Sequence, residues 1–196
     1  MKIDGDPQVQ VGRPPGPMAA LLAAVHFAAD QHRDQRRKGS DASPYVNHAI
    51  AVAELLATVA RVEDPEILQA AVLHDVLEDT EVLYSELEAR FGPAVASMVA
   101  EVSDDKSLPS PERKERQAHS ARDLSLGAKL IRIADKICNV HDVGKRPPSG
   151  WTPMRRQAYV AWTGRVVDGC RGVSPALEAR FDEVRAEALS AISRDA

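Results

Sequence analysis

A chain of 196 residues, 44% apolar and 28% charged, can bury one substantial core and is short for two domains. Its net charge of −4 supplies no basic field, which argues against nucleic acid as a partner. No apolar run reaches membrane-spanning length and no signal-peptide core opens the chain, so a cytoplasmic protein without a membrane partner is expected.

Residues 1–17, rich in Gly and Pro and without apolar period, read as a flexible leader, and 18–196 as the domain. Apolar periodicity predicts helices over about 18–36 and 47–61. Asp64-Pro65, Ser110-Pro111, Thr152-Pro153 and Ser174-Pro175 each pair a capping side chain with a proline that needs no donor, marking helix starts near 65, 111, 153 and 175. Further helices are expected at about 85–91, 93–103 and 126–142, with Phe91-Gly92-Pro93 ending one and opening the next. Segments 104–110 and 144–151 read as loops, and no alternating strand pattern occurs. The predicted fold class is all-α, a single compact domain of about eight to ten helices. Cys138 and Cys170 lack CxxC spacing and read as reduced structural thiols, which removes thiolate-held zinc as the main metal site.

Ile67–Asp79 is the most informative segment. It is predicted as one apolar helix that carries His74, Asp75, Glu78 and Asp79 in its last two turns. At about 100° per residue these four share an arc roughly 140° wide, opposite Val72, Leu73, Val76 and Leu77. Ionised groups in a core helix cost several kcal/mol each unless paired, and a divalent cation satisfies them together. The segment therefore predicts a metal site.

His48 opens a second apolar helix and, alone, reads as a core or capping histidine. Asp135, in the mostly apolar stretch 130–140 with Asn139 one turn later, reads alone as a partner of Lys136 or Arg132. Together, His48, His74, Asp75 and Asp135 give two imidazoles and two carboxylates, a shell suited to Mn²⁺, Fe²⁺, Zn²⁺ or Co²⁺ rather than calcium. Glu78 and Asp79, just outside it, are placed to orient a water or move its protons. The basic run His32–Lys38 has two readings, solvated cations complementing a helix dipole or a phosphate clamp, with Lys129, Arg132 and Lys136 joining the same positive wall. His26 and His119 read as ordinary structural or surface residues, and His141-Asp142 as a surface pair at a helix end.

The order His48, His74-Asp75, Asp135 resembles the H…HD…D pattern of the HD phosphohydrolase superfamily. His32–Lys38, Ser43–His48, His74–Thr80, Asp104–Pro109 with Glu112–Lys114, and Ala134–Asn139 are similar, more specifically, to the hydrolase part of the RelA/SpoT proteins. The likeness spans about residues 19–185 and is nearest to the small single-domain alarmone hydrolases of the Mesh1 type. It implies one Mn²⁺ held by His48, His74, Asp75 and Asp135, and a 3′-pyrophosphohydrolase acting on ppGpp or pppGpp to give GDP or GTP and pyrophosphate. By matching position, Glu78 and Asp79 activate and place the water, Arg37 and Lys38 contact phosphates, and Asn139 helps fix the nucleotide.

Ala49 stands where the family has proline, Cys138 where it often has an aromatic, and His141 where arginine is frequent. None of these removes a ligand or a water-activating group, and the His141 change bears on substrate preference more than on catalysis. The alternatives are a hydrolase acting mainly on another nucleotide such as NADPH and, in a different class, a catalytically silent alarmone-binding module, which would be expected to lose Glu78 or Asp79. The expected partner is a small nucleotide. Small helical enzymes of this kind often self-associate, so a homo-oligomer is compatible with the sequence.

Overall fold

The computed structural model describes residues 16–39 and 41–195. In chain order it has α1 (Pro17–Gln31), α2 (Val46–Thr58), α3 (Pro65–Leu73), α4 (Val76–Asp79), α5 (Tyr84–Phe91), α6 (Pro93–Val102), α7 (Ser110–Ser120), a 3₁₀ turn (Ala121–Asp123), α8 (Leu126–Lys145), α9 (Pro153–Cys170) and α10 (Pro175–Arg194). Extended pairing among the described residues is limited to a bridge between Arg36 and Pro44, and the all-α expectation holds. The expected leader lies outside the described residues except for Gly16 and Pro17, and Pro17 opens α1.

Local chemistry explains most of these boundaries. Asp64, Thr152 and Ser174 cap α3, α9 and α10 through their side-chain oxygens, as expected, and Ser125 does the same for α8. Ser110 does not: it is the first residue of α7, behind Pro109, and no side chain caps that end.

Three predicted helices are shorter than expected, of which α2, ending at Thr58 instead of about 61, loses least. Instead of reaching 36, α1 stops at Gln31, with His32 leaving helical geometry at φ −97° and ψ 14°. Arg33 Nε then donates to the Asp30 carbonyl and Arg36 Nη1 to the Arg33 carbonyl, at 3.1 and 2.8 Å. His32–Lys38 is therefore loop, not the end of a helix. The predicted helix over 67–79 breaks after Leu73. His74 Nδ1 donates to the Ala71 carbonyl at 2.8 Å, taking the acceptor that the Asp75 amide needs to continue the helix. Asp75 sits in the bridge region at φ −100° and ψ −2° before α4 resumes.

The centre of the molecule is α8, which packs against α2, α3, α6, α9 and α10. From Leu130 to Ile137 every residue is buried, as expected of a helix enclosed on all sides. Ile131 and Ile133 meet a core that includes Leu56, Leu73 and Phe181, and each such side chain contributes about 1.5–3 kcal/mol on burial. Gly144, expected to open a loop, lies inside α8. A Cβ there would stand 2.9 Å from the Ala188 Cα, so glycine is required for the close approach of α10. This helix thus holds Asp135 at a fixed depth, with the start of α2 and the end of α3 packed against it.

Candidate active site

Three elements bring the predicted ligands together. His48, from the first turn of α2, His74, at the break after α3, and Asp135, midway along α8, each offer one ligand atom within 4.8 Å of the others. His48 Nε2 is 3.2 Å and His74 Nε2 is 3.8 Å from Asp135 Oδ1. Asp75 Oδ2 flanks them, 2.9 Å from His74 Nε2 and 3.8 Å from His48 Nε2, and accepts a hydrogen bond from Tyr45 Oη at 2.5 Å. Both Nε2 atoms are buried without a hydrogen-bond partner. Because His74 Nδ1 already donates to Ala71, a neutral His74 ring turns its lone pair toward these carboxylates. Lone pairs converging on carboxylate oxygens in a buried site call for a cation, so the donor set fits a divalent ion with mixed nitrogen and oxygen ligands.

The charges tell the same story. Burial alone would lower the His74 pKa, but Asp75 and Asp135 reverse this and bring it up to about 9. A proton on His74 thus does part of the work of a cation. Burial holds His48 below its usual value, leaving a neutral imidazole suited to ligation. Burial also opposes ionisation of Asp135, yet Lys136, with Nζ 3.0 Å from Oδ2, and the two imidazoles hold its pKa well below the usual carboxylate range.

A pH dependence follows. His74 has a folded-state pKa near 9 against an ordinary 6.5, so its contribution to stability is complete below about 6.5 and lost as pH rises through about 9. Thermal unfolding in chelator should therefore show a falling melting temperature over that interval. With Mn²⁺ present the fall should shrink, because the ion replaces the proton; an identical decline in both conditions would contradict it.

Beside the cluster opens a cleft of about 610 Å³. Glu78 and Asp79, on α4, line it. Glu78 Oε2 accepts from the Asp104 amide at 3.0 Å. Burial pushes the Glu78 carboxyl up to about 7, with repulsion from Asp75, Asp104 and Asp79 adding to it. Asp79 is held by Gln35 Nε2, which donates to Oδ2 at 2.8 Å, and by Lys106, which pairs with Oδ1.

Arg37 and Lys38 face the same cleft, together with Arg36, Lys106, Arg113, Lys114, Arg146 and Arg155, so an acidic protein carries a cationic cleft. Arg37 Nη2 donates to Asn139 Oδ1 at 2.7 Å and to Asp142 Oδ2 at 3.0 Å, and Asn139 Nδ2 donates to Asp135 Oδ1 at 2.5 Å. Arg37 is thereby tied to the His48, His74, Asp135 cluster through one amide.

Some sequence expectations fail here. Arg132 is no part of the positive wall: it is buried and donates to the Val102 carbonyl at 2.8 Å. Lys136 is spent on Asp135, with Nζ 4.9 Å from the centre of the Trp162 ring, and Lys129 does not line the cleft. Asp142 does pair with His141, as expected, with Nδ1 3.6 Å from Oδ1, but it is also the partner of Arg37. Periodicity gave no sign of Tyr45, Trp151 or Tyr159, which also line the cleft; the Ser43–His48 motif contained the first of them.

With a buried His, His, Asp cluster set among helices beside a carboxylate-flanked cleft, the chain belongs to the HD-domain family, whose profile matches residues 24–162. The particular likeness is to the guanosine-3′,5′-bis(diphosphate) 3′-pyrophosphohydrolases MESH1. That of Danio rerio is 44% identical over 166 residues, 85% of this chain and 92% of that protein. That of Homo sapiens is 46% identical over 160 residues, 82% and 89% of the two chains. A solved structure of a metazoan ortholog of SpoT, described as hydrolyzing ppGpp and playing a role in starvation responses, is similar at 43% identity and a TM-score of 0.84, covering 91% of this chain and 99% of that one.

Proposed function

We propose that this chain is a metal-dependent guanosine-3′,5′-bis(diphosphate) 3′-pyrophosphohydrolase that uses one Mn²⁺ to cleave the 3′-pyrophosphate of ppGpp or pppGpp. The observation that carries the reading is the buried His48, His74, Asp135 cluster adjoining a cationic cleft that Glu78 lines. A divalent ion would be held there by these three residues and Asp75, and would supply Lewis acidity that makes a water easier to deprotonate.

The chain's own groups do the rest. Arg37 and Lys38 take the phosphates of a highly anionic substrate, Arg37 held in place by Asp142 and Asn139. Asp79 orients the attacking water. Glu78, with a pKa near neutrality, accepts its proton as the oxygen attacks the phosphorus bonded to the ribose 3′ oxygen. The bond from that phosphorus to the 3′ oxygen breaks, and the proton becomes available to the departing oxygen, leaving GDP or GTP and pyrophosphate. The reading includes a cytoplasmic location, with which the free thiols of Cys138 and Cys170 agree. No described helix is long and apolar enough to cross a membrane.

The test is release of pyrophosphate and GDP from ppGpp by the purified protein, first stripped by chelator and then given Mn²⁺. Release that appears with Mn²⁺ and stops with chelator is expected. Bound metal without release would overturn the substrate, and absence of metal binding would overturn the site.

A further inference from the structure

His32 and Gln35 have no role in the scheme above, yet they form a hydrogen-bonded chain that ends on Asp79. His32 is 2% exposed and follows α1, its amide bonded to the Ala28 carbonyl. Its Nδ1 lies 2.6 Å from Gln35 Oε1. An amide oxygen only accepts, so Nδ1 donates. With its oxygen occupied in this way, the Gln35 amide turns its Nε2 outward, where it donates to Asp79 Oδ2 at 2.8 Å.

A second strut runs from the same ring. The His32 and Tyr45 rings pack with centroids 4.9 Å apart, and Tyr45 Oη donates to Asp75 Oδ2. The Tyr45 amide donates to the Gln35 carbonyl at 3.1 Å, and Arg37 to Ser43 at 2.9 Å, so the backbone on either side of the Arg36–Pro44 bridge fixes both struts. His32 Nε2 is buried with no hydrogen-bond partner, a cost that a residue merely filling space has no reason to bear.

We propose that His32 and Gln35 are positioning residues that fix the carboxylate of Asp79, and with it the direction from which water attacks. The inference rests on the hydrolase reading above. Carboxylate torsions are broad, so an aspartate anchored on one oxygen alone can swing. Displacement of a reacting group by about 1 Å can cost about 10²-fold in rate.

The experiment compares Gln35→Leu, His32→Phe and His32→Asn with the wild type on ppGpp and Mn²⁺, with Mn²⁺ content and melting temperature measured for each. Gln35→Leu should lower kcat by about 10- to 100-fold while KM and Mn²⁺ content stay within about twofold. His32→Phe keeps the ring against Tyr45 but loses the donor, and should fall equally. His32→Asn places an amide nitrogen near the lost Nδ1 and should restore kcat to within about fivefold of wild type.

The positioning role is overturned if Gln35→Leu raises KM with kcat unchanged, or if Phe and Asn at position 32 are equally impaired. Should His32→Phe not fold, the half-buried Gln35→Leu decides the matter alone. A wild type inactive on ppGpp would instead sink the hydrolase reading, whereas an active wild type with an unaffected Gln35→Leu would sink only this inference.

Discussion

Asp135→Asn should leave the protein without bound Mn²⁺ and lower pyrophosphate release by about 10³-fold or more. The reason lies in what Asp135 touches. Its Oδ1 is the oxygen nearest to His48 Nε2 and lies within 4 Å of His74 Nε2, while Asn139 donates to the same atom. Asparagine keeps the shape and loses the negative charge. Without an ion's Lewis acidity the attacking water would be far harder to deprotonate at neutral pH. Lys136 is also left buried without its partner, so a lower melting temperature should accompany the loss, by the few kcal/mol (about 3–5) typical of a broken buried pair. Metal analysis and product release read the two effects separately. A full Mn²⁺ complement in Asp135→Asn would remove this residue from the ligand set.

Glu78→Gln should behave differently, keeping the ion and losing about 10²- to 10⁴-fold in kcat. Glutamine can still accept from the Asp104 amide, so the local fold survives, but it cannot take a proton. The pH profile gives the sharper test. Glu78 acts as a base only when ionised, and its pKa stands at about 7, so the wild-type rate should fall as pH drops through that value. In Glu78→Gln that acid limb should vanish. Wild-type turnover in the variant, or an unaltered acid limb, would assign the proton transfer to another group.

The sequence disclosed the parts of the fold written in short-range chemistry. Proline after a capping residue located α3, α9 and α10, and Phe91-Gly92-Pro93 located the α5–α6 junction. The break between α3 and α4 was hidden, because Val76 and Leu77 continue the apolar period across it, and the cause is a side chain competing for a carbonyl. The candidate ligands were legible because carboxylates in apolar helices demand compensation. What compensates each charge was not. Arg132, Lys136 and Asp142 carry the same charge whether they grip a ligand, a carbonyl or each other, and only packing decides. The basic run gave Arg37 and Lys38, while the rest of the cationic wall comes from α7, α9 and the loops beside them, whose meeting no local pattern records.

The pairing of Asp135 with Lys136 bears on how the protein can be handled. Asp75 and Asp135 contribute two negative charges; Lys136 and a protonated His74 contribute two positive ones. The cluster is neutral before any ion arrives. Loading is then an exchange, one proton leaving as the metal enters, and does not wait on folding in the manner of a zinc finger. The fold should therefore survive stripping and refilling, so that different divalent ions can be compared on a single preparation; loss of the melting transition in chelator would contradict it.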